Sequence, residues 1–171
     1  DGDSAETQAP LLSVFGGKIT TFRRLAEHAL ERLLPLLPSE ARDRSGPAWT
    51  RTAPLPGGDI PDADFEGFLA TLRSAYPWLT PRLARRYARA YGTRTRRLLG
   101  SARSFAGLGT HLGDELYGGE VDYLVENEWA QTAEDILWRR SKLGLHTSPE
   151  TQRNLARYLE QRAPRVAEAA S

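Results

Sequence analysis

From Phe22 to Leu37 the apolar positions fall at helical spacing. Phe22, Leu25, Ala26, Ala29, Leu30, Leu33 and Leu37 form one stripe, and Arg23, Arg24, Glu27, Glu31 and Arg32 cover the other side. His28 lies off the stripe and reads as a solvated side chain. Pro35 and Pro38 stop or kink the helix, because proline has no N–H to donate. Ahead of it, Leu11–Phe15 is an unbroken apolar run of buried-strand length. A lone strand cannot complete its hydrogen bonds, so this one is expected to join a sheet supplied from outside the chain. Gly16, Gly17 and Lys18 stand between strand and helix, with Thr20 or Thr21 as the helix cap. The pattern reads strand, glycine turn, lysine, helix.

Residues 1–10 are polar and without period, a flexible lead-in. Residues 11–38 hold the strand, turn and helix. Residues 39–63 form a linker with Pro47, Pro54, Pro56, Gly57, Gly58 and Pro61, which Trp49 and Leu55 are expected to pin to a core.

From residue 64 to 171 the pattern predicts an all-helical domain, so the fold class is mainly α. Asp64 starts a helix with Phe65, Phe68, Leu69 and Leu72 inward, and Tyr76-Pro77 ends it. Thr80-Pro81 is a cap followed by proline at the first helical position. Leu83, Tyr87, Ala90 and Tyr91 are placed inward, with Gly92 as the stop. A short helix over 94–99, a glycine-rich loop over 107–119 and a helix over 120–129 follow. The last of these has Val121, Leu124, Val125 and Trp129 on one face. Thr132 and Asp135 resemble a capping box ahead of Ile136, Leu137 and Trp138. Ser148-Pro149-Glu150 opens the final helix, with Leu155, Tyr158 and Leu159 inward.

Composition narrows the chemistry. The 171 residues contain no cysteine, which excludes disulfides, thiolate metal sites and cysteine nucleophiles. His28, His111 and His146 lack ligand spacing, so no metal site is expected. No stretch approaches the roughly 20 apolar residues that span a bilayer. The net charge is +1, yet its distribution is uneven. Arg82, Arg85, Arg86, Arg89, Arg94, Arg96, Arg97 and Arg103 form a basic block, with Tyr87 and Tyr91 interleaved. Asp114, Glu115, Glu120, Asp122, Glu126, Glu128, Glu134 and Asp135 form an acidic one. The two are expected to lie against each other and partly cancel. The alternative is a basic helical module that binds nucleic acid or an anionic membrane.

The strongest candidate chemistry lies at Gly16-Gly17-Lys18. A glycine turn into a helix N-terminus presents free N–H groups and a positive helix end, which suit an anion. The spacing matches neither a P-loop nor a dinucleotide fingerprint, and a tight connection with an exposed lysine fits the same residues.

Residues 11–27, Leu-Leu-Ser-Val-Phe-Gly-Gly-Lys-Ile-Thr-Thr-Phe-Arg-Arg-Leu-Ala-Glu, closely resemble the last flavin-contacting motif of aerobic, FAD-dependent glycerol-3-phosphate dehydrogenases. The resemblance continues in order through Ala-Trp-Thr (48–50), Leu-Pro-Gly-Gly (55–58), residues 83–92 and 120–130, and Glu-Asp-Ile-Leu-Trp-Arg-Arg-Ser-Lys-Leu-Gly-Leu (134–145). Phe22 stands where the family usually has tyrosine, and Ser141 where it has threonine. The resemblance implies a C-terminal fragment, the last strand and helix of an FAD domain followed by a helical C-terminal domain. The FAD-binding and substrate domain and the catalytic histidine would then lie outside this chain. The isolated chain would be inactive and without bound FAD. Gly17, Lys18, Ile19 and Thr20 are the implied cofactor-binding residues, and Lys18 contacts either flavin or the substrate phosphate. The implied reaction turns sn-glycerol 3-phosphate into dihydroxyacetone phosphate and passes electrons to quinone. The implied setting is the cytoplasm, peripheral at the inner face of the membrane. A homodimer is compatible with the pattern, and no specific nucleic-acid partner is expected.

Overall fold

A computed structural model of the chain describes residues 11–44 and 46–168, with side chains as far as Arg162. The chain divides into two compact units between Pro54 and Leu55.

In the first unit, one 3-10 turn over Ile19–Thr21 runs directly into helix α1, Phe22–Leu33. A second such turn, Leu34–Leu36, carries Pro35, and a short helix α2 occupies Ser39–Asp43 within the expected linker. The Thr21 hydroxyl does not cap α1. It donates to the Lys18 carbonyl at 2.9 Å instead. No strand forms over 11–15; these residues are exposed and have no secondary structure. A strand exists only through hydrogen bonds to a neighbour, and none of the described residues supplies one. The apolar stripe of α1 is present, but no described residue of this unit is buried. Trp49, expected to pin the linker to a core, is exposed, and so is Leu55 at the start of the second unit.

The second unit is built on helices α3 (Phe65–Ala75), α4 (Pro81–Tyr91), α5 (Thr95–Leu99), α6 (Gly118–Glu128) and α7 (Pro149–Glu168). The starts of α3 and α4 follow the side chains read from the sequence. The Asp64 carboxylate accepts from Gly67 N at 3.0 Å, and the Thr80 hydroxyl from Leu83 N at 3.1 Å. Phe68, Leu69 and Leu72 of α3 pack with Leu83, Ala84, Tyr87, Ala88 and Tyr91 of α4 in one core that also holds Leu124, Ile136 and Leu155. Ala90 faces solvent rather than inward, because it falls off the stripe that Tyr87 and Tyr91 define.

Leu55–Ile60 belongs to this unit. The Gly57 carbonyl accepts from Thr93 N at 3.1 Å, just past the end of α4. Gly57 and Gly92 both have positive φ, 87° and 53°, and a Cβ on either would overlap the backbone opposite it.

The expected glycine-rich loop contains an antiparallel hairpin, β1 (His111–Gly113) and β2 (Leu116–Tyr117). Its turn residues Asp114 and Glu115 both have positive φ, 45° and 63°. That geometry usually calls for Asn-Gly or Asp-Gly, so the sequence carries no hairpin signal here. The turn is held by tertiary bonds. The Asp114 carboxylate accepts from Ser148 N at 2.6 Å and from the Thr151 hydroxyl at 2.8 Å, tying the hairpin to the start of α7.

Trp129, expected on the inward face of α6, ends that helix in the left-handed conformation and is exposed. Beyond it the capping box is real. Thr132 Oγ1 accepts from Asp135 N at 3.1 Å, and Asp135 Oδ2 accepts from Thr132 N and Gln131 N at 3.0 Å. Asp135 opens a single π-helical segment, Asp135–Arg140, that buries Ile136 and Leu137.

Gly92→Ala combines backbone strain with a clash, and is expected to cost about 2–4 kcal/mol in chemical denaturation. Asp135 is held well below the usual carboxylate range by the N–H groups of Gln131 and Thr132. Its contribution is therefore present above about pH 4, the unfolded carboxylate value, and is lost as pH falls below it. Asp135→Asn should lower Tm at pH 7, and the gap to the parent should narrow when melting is repeated near pH 3, which is below the unfolded carboxylate value but above the folded one.

Candidate functional site

Gly16 and Gly17 both have positive φ, 76° and 119°, so the backbone reverses where the sequence places the turn. Lys18 is extended, with φ −84° and ψ 141°, and caps the 3-10 turn. The first helical bonds run from Thr21 N to the Lys18 carbonyl and from Phe22 N to the Ile19 carbonyl. The N–H groups ahead of them lie outside the helical ladder and remain available to an acceptor. Gly17, Lys18, Ile19 and Thr20 are all exposed, Ile19 to 88%. A Cβ on Gly16 would meet nothing within 4 Å, so the turn is open to close approach. The structure thus brings the four residues into one exposed turn at the start of a 12-residue helix.

The charged blocks meet in the second unit. Arg86 Nη1 donates to Glu120 Oε1 at 2.6 Å, and Nη2 donates to Oε2 at 2.7 Å and to the Glu115 carbonyl at 3.0 Å. The Tyr91 hydroxyl donates to the same Oε1 at 2.6 Å. Glu120 is fully buried. Burial works against the Arg86 charge, but the Glu120 carboxylate outweighs it and holds the guanidinium above its usual value. Burial pushes the Tyr91 phenol well up, and Glu120 adds to the effect. Arg82 pairs with Glu115 at 3.1 Å. Other members pair elsewhere: Arg85 with Glu66, Asp122 and Glu126 with Arg162, and Glu134 and Asp135 with Arg139. The network holds elements together.

The meeting of a basic and an acidic block is legible in the sequence, but the burial of Glu120 and its pairing with Arg86 and Tyr91 are not; Arg86 lies 34 positions away and no spacing rule reaches it. Among the described residues no group of histidines and carboxylates could hold a metal, and His28, His111 and His146 are exposed. A groove of about 340 Å³ lies between Leu55–Gly58 and Ala88–Gly92, with Ile60 and Phe65 in its wall. Arg89 on its rim sits 5.8 Å from the Phe65 ring centre.

Comparison with known proteins adds to this geometry. The model of the C-terminal domain of alpha-glycerophosphate oxidase matches residues 48–167. The chain is 54% identical over 157 residues to a glycerol-3-phosphate dehydrogenase of Pseudomonas aeruginosa, covering 92% of this chain and 30% of that protein. It is 52% identical over 138 residues to a D-erythritol 1-phosphate dehydrogenase of Brucella abortus, 81% of this chain and 26% of that protein. It is 48% identical over 152 residues to an aerobic glycerol-3-phosphate dehydrogenase of Escherichia coli, 89% of this chain and 29% of that protein. The chain spans less than a third of the length of these relatives.

The matched span contains the whole Arg86–Glu120–Tyr91 network. Glu120→Gln leaves a buried guanidinium without its counter-charge and should cost about 3–5 kcal/mol. Tyr91→Phe removes one hydrogen bond to a charged group and should cost about 1.5–3 kcal/mol. Replacing Arg86 and Glu120 together by Met and Leu should recover much of the first loss, which a double-mutant cycle in urea measures.

Proposed function

The chain belongs to the family of the C-terminal domain of alpha-glycerophosphate oxidase, and we propose that it is the helical C-terminal domain, with the preceding glycine turn, of a flavoenzyme. That enzyme oxidises sn-glycerol 3-phosphate to dihydroxyacetone phosphate with FAD and passes the electrons to quinone. The observation that carries the reading is 54% identity over 92% of the chain to a protein named glycerol-3-phosphate dehydrogenase.

The exposed turn supports the cofactor. Two glycines with positive φ, an open Gly16 and N–H groups ahead of α1 fit a group that carries partial negative charge. FAD, when bound, would supply a two-electron acceptor for the hydride of the alcohol carbon, the hydroxyl proton leaving separately. In this proposal Gly17 allows close backbone approach, and Ile19 and Thr20 offer N–H groups from the first helical turn. Lys18 adds a full positive charge where the helix end already favours an anion. Such a field stabilises the charge that develops on the ring during reduction.

The Brucella abortus relative favours a second substrate. It is named for D-erythritol 1-phosphate, and its identity is nearly as high. Both substrates are polyol phosphates, so the class is common to the two readings and only the chain length of the polyol differs. No helix among the described residues is long and apolar enough to cross a membrane. Contact with the surface of the quinone-bearing membrane is part of the proposal and does not rest on that observation.

The test is a hybrid in which residues 11–168 replace the matched segment of the Pseudomonas aeruginosa dehydrogenase. It should purify with FAD and lose flavin absorbance when glycerol 3-phosphate is added anaerobically. A folded hybrid that holds FAD and is bleached by neither glycerol 3-phosphate nor erythritol 1-phosphate sinks the proposal. In the same hybrid Lys18→Ala should lower the flavin potential and cut kcat more than it raises KM, with kcat/KM falling roughly ten- to a hundredfold. A rise in KM with an unchanged potential would move Lys18 to the substrate phosphate.

A further inference from the structure

The groove between Leu55–Gly58 and Ala88–Gly92 lies wholly within the second unit. Its volume of about 340 Å³ is that of a small ligand site, which runs from about 300 to 1,000 Å³. Its two sides are tied together. The Gly57 carbonyl accepts from Thr93 N at 3.1 Å, and the Asp59 carboxylate accepts from the Thr93 hydroxyl.

The wall decides what body fits. Leu55, Pro56, Ile60 and Ala88 present hydrocarbon, and proline has no N–H. The Gly58 N–H is taken by the Leu55 carbonyl at 2.7 Å, and the Tyr91 hydroxyl by Glu120. The Phe65 ring already faces two guanidiniums, Arg85 at 5.7 Å and Arg89 at 5.8 Å, so it gives a flat ring no platform. An extended protein segment docks on a sheet edge. This wall is a loop and a helix, and the main chain of such a segment would go unpaired. A hydrocarbon chain asks for no hydrogen bond and fits.

Charge decides the head. Among the described residues Arg89, Arg94 and Arg96 have no carboxylate at ion-pair distance. Asp59, next to Gly58, is held below the usual carboxylate range by the Thr93 hydroxyl first, and the charges of Arg94 and Arg96 add to the effect. Both arginines therefore lie within electrostatic reach of this end of the groove, and Arg89 is on its rim. Three guanidiniums against one carboxylate leave two positive charges. A phosphate monoester carries about two negative charges at pH 7 and suits a guanidinium better than any other side chain.

We propose that this groove binds a single-chain alkyl or acyl phosphate as a monomer, with the hydrocarbon along Leu55–Gly58 and Ala88–Gly92 and the phosphate among Arg89, Arg94 and Arg96. The site belongs to the helical unit and stands independently of the flavoenzyme reading.

Calorimetric titration of the 171-residue chain with decyl phosphate, kept below its micelle concentration, tests it. Binding should saturate at one ligand per chain. Inorganic phosphate and decanol should each bind at least tenfold more weakly, because each carries only one part of the ligand. Octyl phosphate should fall several-fold short, because fewer methylenes leave water. Arg89→Gln should weaken decyl phosphate by about tenfold or more, the loss of a charge-assisted contact. Leu55→Ser, at a side chain 71% exposed, should keep the parent Tm, weaken decyl phosphate and leave inorganic phosphate unchanged. A folded chain without saturable binding of decyl phosphate overturns the proposal, as does an Arg89→Gln chain that binds it as tightly as the parent. Binding to phosphatidate vesicles with none of the monomer overturns it too, since the surface is then a membrane contact. So does micromolar dimerisation that Leu55→Ser abolishes, since the occupant is then a second copy.

Discussion

The helical unit depends on one buried ion pair. Glu120 sits in the core with no exposed surface, and Arg86 and Tyr91 reach it from the same helix, α4. The carboxylate fixes the start of α6 against α4, and the third bond of Arg86, to the Glu115 carbonyl, fixes the hairpin turn as well. Buried pairs are poor evidence for stability, because desolvation offsets much of the attraction. Their geometry is less forgiving than that of apolar packing. A two-pronged guanidinium–carboxylate contact allows one register, whereas leucine against leucine allows several. The pair is best understood as what makes the packing of α4 on α6 single-valued.

Much of this unit was legible beforehand, and each success has a local cause. Asp64, Thr80 and Thr132 mark helix starts through side chains that bond within three residues, so the sequence holds both partners side by side. Pro81 and Gly92 act through their own backbone. The failures are equally physical. The hairpin over 111–117 rests on Asp114 bonding to Ser148 and Thr151, more than thirty residues away. Trp129 was assigned inward because periodicity assumes the helix continues, and at Trp129 it has already turned left-handed. Opposite charge blocks are expected to meet, and among the described residues Arg82 and Arg86 pair with the acidic block; Asp122 and Glu126 turn to Arg162 instead.

The first unit shows the converse. The glycine turn and α1 formed where the sequence placed them, because a turn and a helix satisfy themselves locally. The strand at 11–15 did not, because its bonds must be supplied by a neighbour. The apolar stripe of α1 has the same need, and it is why this unit has helical order without a core. The proposed flavin role of Gly17–Thr20 uses only those parts of the unit that are locally determined, the backbone reversal and the helix start.

At the end of α4 a Cβ on Gly57 would run into the Tyr91 carbonyl, and one on Gly92 into the Gly57 carbonyl. Both obstacles are backbone atoms, so each position excludes a side chain whatever residue stands at the other. A replacement at either carries its own steric cost, and a second at the other adds to it, because the carbonyl in the way is backbone and stays in place. Drift has no stepwise path through this contact. The segment leading into the helical unit can vary in sequence around Leu55 and Pro56 while its path over the end of α4 stays fixed.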